Sequence, residues 1–242
     1  MYMHLFTKNW RERLLLAFYH LRVLKPFSLL LIVAGFVGAG AVLWVITLNG
    51  RPISLSYGNE FSRFVMESGA ALIAGISAST LIVGDSALEM LLASRQGIQH
   101  ILMWRAIVSW LFLGILTAAF FIWSSILHIH YTPHDSALVL FSTCAVPVFL
   151  LSMIALGGAL LTKSSALGAV LAGLVLMIQL LAKDYILVNT ASSLFFIPLT
   201  LFRPDSPIWW WNRLVLLGCG AVIAIWCLFW LRCEERLLGA NA

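Results

Sequence analysis

The chain has 242 residues, 62% of them hydrophobic and only 10% charged, with a formal net charge of +5. That balance, together with several apolar runs of spanning length, excludes a soluble globular domain. It predicts one all-α integral membrane domain over residues 1–242, partnered by the lipid bilayer and not by nucleic acid.

In the first 26 residues, Phe6, Trp10, Leu14, Ala17, Leu21 and Leu24 recur at helical spacing, with Lys8, Arg11 and Arg22 roughly opposite. The pattern predicts a cytoplasmic amphipathic helix lying in the membrane surface, its basic face toward anionic headgroups. A merely positive flank that fixes topology is the alternative. A cleaved signal is not expected, because the first apolar run starts only at Phe27, is too long and lacks a small-residue cleavage site. Pro26 separates the surface helix from the first span, since the residue before proline is disfavoured in a helix.

Six spans follow, near 27–48, 64–84, 106–127, 137–161, 165–182 and 214–231, each close to the roughly 20 residues that a bilayer core requires. Residues 185–202 are nearly as apolar, yet Asn189, Thr190, Ser192, Ser193 and Pro198 interrupt them, and Pro204, Pro207 and Trp209–Trp211 come next. A re-entrant segment closed by an aromatic belt fits this better than a seventh crossing. With both termini and the loops 85–105 and 162–164 on one side, that side holds ten Lys/Arg against five Asp/Glu, and the other side five of each. The positive-inside rule makes the richer side cytoplasmic and the number of spans even, with residues 232–242 a cytoplasmic tail.

The span centres hold no Lys, Arg, Asp or His. Their polar groups are hydroxyls such as Ser77, Ser79, Thr80, Ser109, Thr117, Ser142 and Thr143, with Gln179 near one end. Transporters driven by ion gradients usually bury ionisable residues there, so any transport energy is expected from outside the membrane domain. Gly69, Ala70, Ala74, Gly75 and Ala78 in the second span, and Gly168, Ala169, Ala172 and Gly173 in the fifth, are spaced for close helix–helix contact. No G-x-x-x-x-G-K-[ST] loop is present to cradle a nucleotide, so the chain is expected to be no ATPase and to need a separate one.

The cytoplasmic stretch Gly84–Gly97, GDSALEMLLASRQG, is the natural handle for such a partner. Ser86 and Glu89 are spaced as a capping box, and Gly97 is a helix stop. Between them Leu88, Leu91 and Leu92 share one face of a helix about 15 Å long.

The ordering resembles the ABC-2 class of ABC exporter permeases. A basic amphipathic helix, six spans, a first cytoplasmic loop with an L-E-x-L-L core and a re-entrant segment before the last span all recur there. Leu88, Glu89, Leu91 and Leu92, with Ser94 following, carry the local match. The family loop often reads G-T-L-E-x-L-L-x-S-P, where this chain has Ser86-Ala87 in place of Gly-Thr and Arg95 in place of Pro. The resemblance implies a permease subunit in a bacterial cytoplasmic membrane, paired with a second copy around a translocation path. Each copy would seat its 85–97 helix, including Ser86, Leu88, Glu89, Leu91, Leu92 and Arg95, in a cytoplasmic ABC ATPase that holds the ATP and Mg. Glu89 then either links to the ATPase or to Arg11, Arg13 or Arg22 of the N-terminal helix, or only completes the capping box.

His128, His130 and His134 lie near an outer loop with Asp135. They keep open a relation to the haem-exporter membrane subunits of cytochrome c maturation, although the longer first outer loop (49–63) and the re-entrant segment speak against it. Cys144, Cys219, Cys227 and Cys233 have no metal-ligand spacing and are expected as small hydrophobes in apolar segments, with no metal site. A non-transporting scaffold is a further alternative. An intramembrane enzyme is disfavoured, because no histidine lies in a span to activate a serine such as that of Gly75–Ala78. Arg203, Arg213 and Trp209–Trp211 are expected at the outer surface, as topology anchors or cargo contacts.

Overall fold

A chain inside a bilayer has no water to satisfy its peptide groups, so long apolar runs close their hydrogen bonds internally as helices. The computed structural model describes residues 26–48, 52–81, 98–129 and 137–232, and every regular element among them is helical. In order these are α1 (Pro26–Leu48), α2 (Pro52–Phe64), a π-helical turn (Val65–Gly69), α3 (Ala70–Ser79), α4 (Ile98–Ile126), α5 (Ala137–Thr162) and α6 (Ser165–Leu181). Three short helices come next, α7 (Lys183–Val188), α8 (Thr190–Ser193) and α9 (Leu199–Phe202), and then α10 (Trp209–Arg232).

Leu102–Ile126, Leu138–Thr162 and Trp209–Leu231 are each long and apolar enough to cross a membrane, and Ile32–Leu48 and Ser165–Leu181 are shorter apolar helices. Their outward side chains are apolar too. Ile115 of α4 and Val222 and Phe229 of α10 are each 67% exposed, a pattern that lipid tolerates and water does not. The chain is an all-α membrane protein.

Small residues set the packing at the centre. Ala70, Ala74, Gly75 and Ala78 of α3 and Gly168 and Ala172 of α6 are buried. A Cβ at Gly75 would lie 3.1 Å from Ala172 Cβ and 3.3 Å from the Leu151 carbonyl, and one at Gly168 only 2.4 Å from the Ala155 carbonyl. The Ala155 carbonyl is backbone of α5, so a larger residue at 168 would force α5 and α6 apart. The two helices form a tight hairpin through Lys163, which takes the left-handed conformation (φ 53°), and Ser164, whose Oγ caps the Leu167 N–H at 3.4 Å. On the other flank, the Trp123 indole donates to the Gly40 carbonyl (3.2 Å) and tilts against Trp44, tying α4 to α1.

Three expectations are corrected. Residues 52–63, expected within an outer loop at 49–63, are helical and form α2 together with Phe64, the first residue of the expected second span, and α2 runs without interruption through the π turn into α3. Its Gly58 and Ser62 are buried while Glu60 is exposed, so this polar stretch is amphipathic, with Gly58 close to Leu43 and Ile129. Arg105, counted with the cytoplasmic loop charges, lies on α4, is buried, and donates from one Nη to the Leu81 carbonyl at 2.7 Å. Trp209 and Arg213, expected at the outer surface, are both buried at the start of α10.

Candidate functional site

Between α6 and α10 the chain has no long helix. Residues 182–208 break into short helices, and Phe196 to Thr200 are buried nonetheless. Buried irregular backbone must find partners outside itself, and here side chains from three long elements supply them.

Gln179 on α6 donates from Nε2 to the Phe195 carbonyl (3.1 Å) and accepts from the Ile197 N–H at Oε1 (2.8 Å). Asn212 on α10 directs its Nδ2 to the carbonyls of Ser193, Leu194 and Phe196 at 2.9–3.0 Å. Arg213 donates to the Ile197 carbonyl (3.3 Å) and to Thr200 Oγ1 (2.6 Å). The Trp209 indole donates to the same hydroxyl at 2.9 Å, and the Arg213 guanidinium lies 5.1 Å from the centre of the Trp209 ring.

Glu67 completes the clamp from the opposite side. Its carboxylate accepts from the N–H groups of Thr200 (3.1 Å) and Leu201 (2.9 Å) and from the Arg213 guanidinium, with which it forms a buried ion pair. Pro198 precedes α9 and its side chain makes no cap bond there, so a carboxylate from another helix takes the free donors of the first turn. Glu67 is fully buried and Arg213 is 2% exposed. Neither charge would be stable there alone, since an unpaired buried ion costs several kcal/mol. Paired, and with the backbone donors added, each oxygen of Glu67 has at least one N–H partner.

The π turn Val65–Gly69 carries Glu67 at its midpoint. A π turn inserts one residue into the helical repeat and so rotates the rest of the helix about its axis. Glu67 thereby faces α9 while Ala70 and Ala74 of α3 face the core.

Beside the clamp lies a groove of about 780 Å³ between the end of α1, α2 and α9. Tyr57, Glu60, Phe61 and Phe64 of α2 form one wall and Leu201 and Phe202 the other. Leu201 is the residue whose N–H Glu67 holds, so the clamp fixes that wall.

Of the residues singled out from sequence, the structure brings Gln179, Trp209 and Arg213 into the clamp and places Arg203, Trp210 and Trp211 at the exposed surface. The remaining hydroxyls mostly serve their own helices, as with Ser77 to Ile73 O and Thr117 to Leu113 O. Ser86, Leu88, Glu89, Leu91, Leu92 and Arg95, and Arg11, Arg13 and Arg22, lie outside the described residues, as do His130, His134, Asp135 and Cys233. His128 is exposed and left-handed (φ 59°) at the end of α4, where the His128 N–H bonds Ser125 O and the Ile129 N–H bonds Ser124 O. That is a helix-stop arrangement, and it explains the residue's conformation without a ligand. Cys227 is buried, Cys144 and Cys219 are half-buried, and all three are free thiols. No group of three His, Cys, Asp or Glu suited to a metal occurs among the described residues.

The sequence patterns do not single out Glu67 or Asn212. The available signal is one carboxylate inside an otherwise apolar second span, which calls for a basic partner, and Arg213 at the foot of the last span is one.

No family model, curated protein or solved structure matches the chain.

Proposed function

We propose that the chain is the membrane subunit of an ATP-driven exporter of the ABC-2 class. Two copies pair around a translocation path in a bacterial cytoplasmic membrane, each with six spans and both termini in the cytoplasm. The Gly84–Gly97 segment docks its Leu88, Leu91 and Leu92 ridge on a separate ABC ATPase, with Ser86 and Glu89 capping the helix and Arg95 at its end. ATP and Mg are held by that partner, and this subunit catalyses no reaction itself.

The observation that supports this reading best is the broken segment from Lys183 to Phe202, held by Glu67, Gln179, Asn212 and Arg213 immediately before the last long helix. It stands where the resemblance expects a re-entrant segment, and such backbone is tolerated at membrane depth only with its polar groups satisfied inside the protein. The haem-exporter alternative rests on His128, His130 and His134, of which His128 alone lies among the described residues, at the end of α4.

A photo-crosslinking residue at Leu91 tests the proposal in living cells. The expected adduct is with a protein containing a P-loop, identified by mass spectrometry. Adducts only with lipid or with unrelated proteins would contradict it.

A further inference from the structure

We infer that the groove between α2 and α9 is a binding site for an organic cation with an apolar body. Its volume, about 780 Å³, lies in the range of small-molecule sites. Four aromatic rings, those of Tyr57, Phe61, Phe64 and Phe202, line it, and among the described residues that line it Glu60 alone is charged. Glu60 is exposed and takes part in no hydrogen bond or ion pair among the described residues, so its charge is available to a ligand. A free carboxylate set among aromatic rings attracts a cation and repels an anion, because the face of an aromatic ring is its negative side. Phe202 already shows this behaviour on the side of Lys183, whose ammonium lies 5.0 Å from the ring centre. A neutral lipid tail would fill the aromatic walls but leave Glu60 unused.

The site extends beyond the transporter proposal, because it requires no ATPase and no movement of the ligand across the membrane. Two sources share its chemistry: a free lipophilic cation and the ammonium headgroup of a membrane lipid.

Tetraphenylphosphonium and tetraphenylborate, a cation and an anion of nearly equal size and apolar surface, provide the test on the full chain in lipid nanodiscs. Radiolabelled tetraphenylphosphonium is expected to bind saturably, with tetraphenylborate failing to compete. Glu60→Gln should weaken binding about twofold to fivefold, the range of an exposed ion pair, and Glu60→Asp less. Phe202→Ala should also weaken it, by about threefold to tenfold. Glu60 is exposed and makes no bond among the described residues, so its variants are expected to fold normally, and a thermal unfolding profile like that of the wild type checks this. Saturable binding no greater than to discs without protein, equal affinity in Glu60→Gln, or displacement by tetraphenylborate would each overturn the inference. Weaker tetraphenylphosphonium binding in phosphatidylethanolamine than in phosphatidylglycerol discs would support the site and make the lipid ammonium its competitor. Equal binding in the two would support it with a free cation as the ligand.

Discussion

Glu67→Ala is expected to destabilise the protein in detergent by about 3–5 kcal/mol, the usual effect of removing one partner from a buried ion pair. The substitution strands Arg213, which is 2% exposed, and removes the acceptor from the Thr200 and Leu201 N–H groups. Glu67→Gln should recover only part of the loss. An amide has one acceptor oxygen where the site offers three N–H donors, and its NH2 would point a donor at a donor. Exchanging the charges, Glu67→Arg with Arg213→Glu, should fail to rescue, because arginine at 67 cannot accept from the α9 backbone. Neutralising both ends with Glu67→Leu and Arg213→Met should cost less than Glu67→Ala alone, since no charge is then left unpaired. Thermal unfolding of the four variants measures this series. A Glu67→Ala protein within about 0.5 kcal/mol of wild type, or a fully rescued charge exchange, would mean that the pair does not hold the segment.

Changing Leu88, Leu91 and Leu92 together to serine is expected to abolish association with the ATPase while leaving the membrane domain folded. Burying even half of each side chain in a groove contributes about 1 kcal/mol, so losing three should weaken association at least a hundredfold. Glu89→Gln separates the two roles open to that residue. A capping box accepts glutamine in place of glutamate, so normal ATP hydrolysis by the assembled complex would leave Glu89 as a cap. Loss of coupling with a normally folded helix would make it a charged contact.

How far the sequence discloses the fold depends on what the apolar pattern records. Long uninterrupted runs announce helices whatever surrounds them, and the long helices begin or end within a few residues of the expected spans, α1 starting at Pro26, the residue expected to separate it from the surface helix. Residues 52–63 read as loop because PISLSYGNEFSR is half polar. Its helicity depends on Gly58 and Ser62 finding cover, which is a tertiary fact. The small residues of the second and fifth spans are legible as contacts because close backbone approach demands them. Arg213 is easily misplaced because it comes after three tryptophans, the usual signature of a membrane interface. Its real environment depends on a carboxylate 146 residues away, which no local pattern encodes. Asn212 escapes notice for the same reason, since the carbonyls that it satisfies belong to a segment whose path is set by the rest of the fold.

Affinity purification of the tagged chain from mild detergent, with mass spectrometry and an ATP hydrolysis assay on the proteins that accompany it, addresses the proposed role most directly. The expected result is a P-loop subunit in stoichiometric amount, with ATP hydrolysis that disappears from the preparation when Leu88, Leu91 and Leu92 are serine. A monodisperse, intact protein that brings down no ATPase under these conditions would contradict the permease proposal.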